Sequence, residues 1–205
     1  MQWENDLVRD IRLNSHLDDE DYPIEQLGLK YNGIPGVEFS DRNHMALGLA
    51  IASCRPPAKT FLEIGVCRNG ETSSTHTIIK NMPSDGIYLG VDIEYKSFLD
   101  NPSRGIYTMK ESSSNYEEVV KKLESLRVKT VDFIFIDGWH SINQVLKDWE
   151  YTKILSDGGV VAFHDTTSHP GPHFFINNLN EEKWIVHRNL CPEDHGLGYC
   201  YKKQP

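Results

Sequence analysis

Residues 131–137 read Val-Asp-Phe-Ile-Phe-Ile-Asp, an almost unbroken apolar run with a carboxylate at its end. A strand this apolar must be covered on both faces, which is the signature of a parallel sheet wrapped in helices. Similar runs recur along the chain: TFLEIG at 60–65, GIYLGVDIE at 86–94, GIYTMK at 105–110 and GGVVAFHD at 158–165. Between them lie helical patterns. ETSSTHTIIKNM follows the first strand, Tyr116, Val119, Val120 and Leu123 share a face, and Ile142, Val145, Leu146 and Trp149 share another. Ser40 or Asp41 can cap a helix running to about Cys54, and Ser114 stands three before Glu117 as a capping box. Near the end, KWIVHR and GLGYCYKK flank a loop holding Pro192 and Gly196, which suits an antiparallel hairpin. Strands alternating with helices predict an α/β fold, a Rossmann-like mixed sheet with helices on both faces.

In such sheets ligands sit off the carboxyl ends of the strands, and the residues there are informative. Glu63 and Gly65 end the first strand, in Glu-Ile-Gly-Val-Cys-Arg-Asn-Gly. A carboxylate there would repel a pyrophosphate and attract an ammonium. Asp92 ends the second strand, where a carboxylate can grip a ribose diol. Asp137 ends the fourth, with Trp139 and His140 just beyond, and His164-Asp165 ends the fifth. If those two strands are neighbours, their backbones lie about 4.8 Å apart. Carboxylates that close repel unless a cation sits among them or one is protonated.

These motifs resemble class I S-adenosylmethionine-dependent methyltransferases over roughly residues 40–202. FIDGWH and GGVVAFHD look closest to the small metal-dependent O-methyltransferases, the catechol, caffeoyl-CoA, macrolide-sugar and cephalosporin-type branch. The resemblance implies seven strands with the last antiparallel. It places Glu63 and Gly65 at the methionine end of the cofactor, Asp92 on the ribose, and Ser112, Ser113 and Trp139 around the adenine, with Asp137 beside them. The family's usual second glycine falls at Asn69, with Gly70 one position late. The resemblance also implies a divalent metal at Asp137, His164 and Asp165, magnesium by family habit. An imidazole in the set favours manganese, iron, cobalt or zinc more than the family norm does. His140 stands where the catechol enzyme has a lysine general base, and catalysis is expected from His140 and Asp137.

The remaining features set limits. The chain has 205 residues and a formal net charge of −9. That suits one domain, 41–205, preceded by a helical cap segment, 1–40, in which Trp3, Leu7 and Ile11 are spaced as on one helix face. That segment could close the pocket or form a homodimer interface. Acidity argues against a nucleic-acid partner. No apolar run approaches the roughly 20 residues of a membrane span, and the four cysteines form no CxxC pair, so free thiols in the cytoplasm are expected. His169 to Phe174 read as a Pro-rich loop that could wall a pocket; His16, His44 and His187 are read as structural. The expected function is methyl transfer to a hydroxyl of a small molecule. The alternatives are a metal-independent methyltransferase of another atom and a cofactor-binding inactive partner subunit. A nicotinamide dehydrogenase, which needs G-x-G-x-x-G, and a metal-dependent hydrolase rank below these.

Overall fold

The computed structural model describes residues 5–8, 39–66 and 73–204. Seven strands form one sheet: β1 (Thr60–Ile64), β2 (Ile87–Asp92), β3 (Ile106–Lys110), β4 (Val131–Ile136), β5 (Leu155–His164), β6 (Trp184–Leu190) and β7 (Leu197–Lys202), in the order β3-β2-β1-β4-β5-β7-β6. The first five are parallel, and β7 runs antiparallel to both β5 and β6. The expected Rossmann-like mixed sheet is therefore what the chain builds.

The apolar runs are explained by double burial. In β4, Phe133 and Phe135 enter the core beneath α1 (Asp41–Ala52) and α2 (Ser74–Asn81). Their neighbours Ile134 and Ile136 enter the opposite core, beneath α3 (Tyr116–Ser125), α4 (Ile142–Asp148) and α5 (Pro170–Asn177). Alternation along one strand thus fills two hydrophobic layers. Serine hydroxyls start three of the helices. Ser40 accepts from Asn43 N, Ser73 from His76 N and Ser141 from Gln144 N. No helix among the described residues is long and apolar enough to cross a membrane.

Three expectations need correction. The capping box does not form: Asn115 is the N-cap of α3, without a side-chain bond, and the Ser114 hydroxyl donates instead to Gln144 Oε1 at 3.0 Å. The Pro-rich stretch after β5 is not a loop but α5, with Pro170 at its first position, where the missing N–H costs nothing. Leu7 is not helical; it forms a lone bridge with Leu179, and Val8 N donates to Asn178 O. Trp3 and Ile11 lie outside the described residues, as do the 18–22 acidic run, NGIPG, His16, Cys67 and Asn69-Gly70. Cys54, Cys191 and Cys200 are free thiols. His187 stacks on Tyr199 and Tyr201.

The described N-terminal residues are tied to the core by one carboxylate. Asp6 is buried and accepts from Trp149 Nε1 at 3.1 Å and from Trp184 Nε1 at 3.2 Å. Both indoles are buried too, so neither N–H has water to fall back on. Removing the carboxylate strands two donors. We expect Asp6→Ala to lower the unfolding free energy by about 2–4 kcal/mol in chemical denaturation.

Candidate active site

The sheet brings the chemistry-bearing residues together at its carboxyl edge. β1 sits between β2 and β4, and β5 lies beside β4, so Glu63, Asp92, Asp137, His164 and Asp165 all belong to four adjacent strand ends. Gly65 shows how closely these ends are packed. Its φ is +81°, and a Cβ there would lie 2.0 Å from the Asp137 carbonyl oxygen. The glycine is therefore required by the protein's own backbone, where β1 and β4 leave the sheet side by side.

Glu63 is fully buried. Its carboxylate accepts from Ser74 Oγ and Thr75 Oγ1, both at 2.8 Å, and from the Tyr88 hydroxyl. These bonds hold the first turn of α2 against β1. Burial pushes the Glu63 carboxyl up to about 7, although the three hydroxyls pull it down. Asp92 takes Val66 N at 2.9 Å on one oxygen and Glu94 N at 2.7 Å on the other. The buried Lys96 ammonium lies 3.9 Å away and 3.0 Å from Glu94.

Beyond β3 and β4 a polar network forms that the sequence did not reveal. Gln144 on α4 donates to Ser113 Oγ at 2.9 Å and to Asp148 Oδ1 at 2.8 Å, and Tyr151 Oη donates to Ser113 O at 2.7 Å. Ser112 Oγ accepts from Ser114 N. Trp139 stands in the open, 63% exposed, past the end of β4. Asp148 is fully buried, and its Oδ2 has no partner among the described residues. Burial pushes its carboxyl up to about 7, against the Ser113 and Gln144 hydrogen bonds.

The densest cluster surrounds Asp165, the first residue after β5. Its φ is +59°, uncommon for any residue but glycine. His164 Nδ1 is wedged between Asp137 Oδ1 at 3.2 Å and Asp165 Oδ2 at 3.3 Å. His140 Nε2 reaches Asp165 Oδ2 at 2.9 Å. His169 Nδ1 and His195 Nδ1 approach Oδ1 at 3.4 and 3.3 Å, and the Ser168 hydroxyl donates to it at 2.8 Å. One carboxylate thus faces four imidazoles. Burial opposes charge on His164, but Asp165 and then Asp137 outweigh it, holding the imidazolium well above the usual histidine range. Burial likewise works against the Asp165 charge, and His164 and His140 overcome it, holding the carboxyl well below the usual range.

Sequence reasoning brought Asp137, His140, His164 and Asp165 to one place, and the structure joins them. It missed three others. His195 comes from the β6–β7 loop, and its spacing carries no signal. Asn43, from α1, puts Nδ2 3.3 Å from His164 Nε2 and also donates to Asp194 Oδ2 at 3.0 Å. His169 was visible only as part of a loop.

Three donor atoms from Asp137, His164 and Asp165 lie within 4.8 Å of one another, the spacing of a cation's ligands. For His164 Nδ1 to ligate, the imidazolium must give up its Nδ1 proton and keep the one on Nε2, which now faces an amide N–H. Asn43 Oδ1 is buried without a partner. Turning that amide would give Nε2–H an acceptor, at the expense of the bond to Asp194. The residues therefore fit a divalent ion with mixed oxygen and nitrogen ligands.

Residues 62–166, just over half of the chain, match the sequence profile of a family described as "Methyltransferase domain". The chain belongs to this methyltransferase family. With its seven-stranded sheet, it is a class I, S-adenosylmethionine-dependent methyltransferase. No curated protein matches it in sequence. Among solved structures, the O-methyltransferase TomG of Streptomyces achromogenes, involved in tomaymycin synthesis and solved with S-adenosylmethionine, is similar with a TM-score of 0.57 at 12% identity, over 97% of this chain and 92% of its own. An O-methyltransferase from Bacillus cereus, in complex with S-adenosylhomocysteine, gives 0.56 at 15% identity over 98% and 96%. The MycE methyltransferase of mycinamycin biosynthesis, with magnesium, S-adenosylhomocysteine and mycinamycin VI, gives 0.50 at 19% over 70% of this chain. The methyltransferase described here spans less than half (44%) of the MycE chain. At these identities the likeness is one of fold.

The Asp148 carboxyl yields a test of the buried network. Folded, it titrates near 7; unfolded, near 3.8. Between these values the folded chain holds the extra proton, so rising pH erodes stability through this group. Above the folded value the loss is complete. The stability of Asp148→Asn relative to wild type should therefore rise from about pH 4 to about pH 7, by on the order of 4 kcal/mol, and then level off. Parallel denaturation curves of the two proteins at each pH would check this.

Proposed function

We propose that this methyltransferase methylates a hydroxyl of a small molecule, with a divalent cation at the ends of β4 and β5. The observation that supports the reading best is the His140–Asp165 pair at 2.9 Å beside Asp137. It offers an oriented base where two carboxylates and an imidazole converge. Asp92 would hold the ribose diol, Ser112 and Ser113 would contact the adenine and Trp139 would stack on it. Glu63 and Gly65 would shape the methionine end, Glu63 by fixing α2. Asp137, His164 and Asp165 would hold the cation.

When bound, S-adenosylmethionine supplies an electrophilic methyl and leaves as S-adenosylhomocysteine, and a divalent ion lowers the pKa of the acceptor hydroxyl. His140 would take the hydroxyl proton. Its Nε2 is turned to Asp165, so the proton goes to Nδ1, and Asp165 stabilises the imidazolium that forms. The oxygen then attacks the methyl carbon in line with the departing sulfur. Placement of the two reactants supplies much of the rate. The acidic charge of the chain and its free thiols are in keeping with a small-molecule acceptor and a reducing cytoplasm.

Two variants separate binding from chemistry. Asp92→Ala should weaken S-adenosylmethionine binding in calorimetry by roughly 1.5–3 kcal/mol, through lost charge-assisted hydrogen bonds. His140→Ala should bind the cofactor normally and lose about 10²–10⁴-fold in turnover with hydroxyl acceptors. Wild-type cofactor affinity in a folded Asp92→Ala protein would overturn the cofactor placement.

One observation favours a second reading. His164 already lies between both carboxylates and balances their charge. A transferase without a cation would use His164 in its place. Exhaustive chelation should abolish turnover, and added magnesium or manganese should restore it. Activity that survives chelation, with no metal by elemental analysis, would establish the second reading.

A further inference from the structure

Asp165 meets more imidazoles than the proposed cation uses. Beside it His140 and His169 stand together, their ring centroids 4.0 Å apart and their planes inclined at 38°. His140 Nε2 is 2.9 Å from Asp165 Oδ2, and His169 Nδ1 is 3.4 Å from Oδ1. One donor atom from each of these three residues lies within 4.8 Å of the other two. Both imidazoles are partly exposed, at 20% and 24%, which gives a solvated ion a way in.

The backbone holds this arrangement in place. His169 N donates to Asp165 O at 3.1 Å, and Gly171 N donates to His140 O at 3.1 Å. A Cβ on Gly171 would lie 2.1 Å from that same carbonyl, so the start of α5 lies hard against the His140 loop. The backbone of neither histidine can move far from Asp165 without breaking a main-chain bond.

We propose that His140, His169 and Asp165 form a second cation site, selective for a zinc- or iron(II)-class ion. Two imidazole nitrogens and one carboxylate oxygen on one side of an ion are the ligands of a borderline transition metal, with water in the open positions. Magnesium and calcium prefer oxygen. The site is distinct from the Asp137–His164–Asp165 trio and shares only Asp165 with it. Its binding does not depend on the reading of His140 as the base. Its consequence does: an ion on Nε2 fixes the remaining proton on Nδ1, so a loaded His140 cannot accept one. Occupancy would switch the transferase off.

Cobalt(II) is the probe, because its visible bands shift and strengthen when protein ligands replace its water. The full chain is titrated with cobalt chloride as wild type, His169→Ala, His169→Phe and Asp137→Asn. His169→Phe keeps the ring against His140 and removes only the nitrogens, which covers the case in which the alanine variant fails to fold. The expected result in the wild type is cobalt at the His169 site in addition to any at Asp137, His164 and Asp165: the folded His169 variants lose one cobalt or bind it at least tenfold more weakly, and Asp137→Asn keeps that His169-dependent part of the spectrum. Unchanged stoichiometry and affinity in the His169 variants, loss of the His169-dependent part in Asp137→Asn, or no cobalt spectrum in the wild type would each overturn the site. If cobalt binds through His169 but zinc leaves turnover untouched, the site stands and His140 is not the base.

Discussion

A carboxylate buried without compensation is among the most costly things a fold can contain, and Asp165 is buried. Much of the active edge follows from how its charge is met. Four imidazoles and a serine hydroxyl face it, drawn from the β4–α4 loop, from β5 itself, from the start of α5 and from the β6–β7 loop. Four separate pieces of chain are thereby fastened to one point. The left-handed backbone of Asp165 is the local cost of aiming both oxygens at these partners. A cluster of this kind is rigid while its charges balance, and rigidity is what a base and a cation site both need.

The other pole of the site is built differently. Around Gly65 the constraint is steric: the exits of β1 and β4 pass so closely that a methyl group would strike the Asp137 carbonyl. That closeness sets Asp137 within one strand spacing of the end of β1, and so sets the methionine end of the proposed cofactor beside the proposed cation. Glu63 works beneath this crossing. Read from sequence, it is a charge offered to a ligand; in the fold it is enclosed by three hydroxyls and fastens α2. What it fixes directly is the helix at the strand ends.

The sheet was legible because double burial leaves a plain mark: nearly unbroken apolar strands, spaced by helices, with acids at their ends. Asp137, His164 and Asp165 could be placed together on the condition that β4 and β5 are neighbours, since neighbouring parallel strands end at the same edge, and the sheet order meets that condition. What stayed illegible came from contacts across the fold. His195 and Asn43 reach the cluster from a hairpin loop and from α1, and nothing in their own surroundings announces it. Pro170-Gly171-Pro172 reads as a turn, yet proline at a helix start and a glycine pressed on a carbonyl make it the first turn of α5. Ser114 matches the spacing of a cap but is drawn to Gln144 instead, because a partner on another helix competed with the local one.

The strand order has a consequence for how this protein comes to exist. β5, which carries His164, has β4 on one side and β7 on the other. β7 is made after every other strand of the sheet, yet it lies inside it, between β5 and β6. Until it inserts, the outer edge of β5 presents unpaired amides and carbonyls beside an apolar surface, an invitation to pair with another chain. The loop that brings His195 to Asp165 forms only when that insertion is complete. A nascent chain stalled or clipped before Leu197 would thus be sticky and would lack the edge that closes the charge cluster. The edge that completes the sheet is the edge that completes the charge cluster, so assembly of the site and protection from aggregation are one folding event.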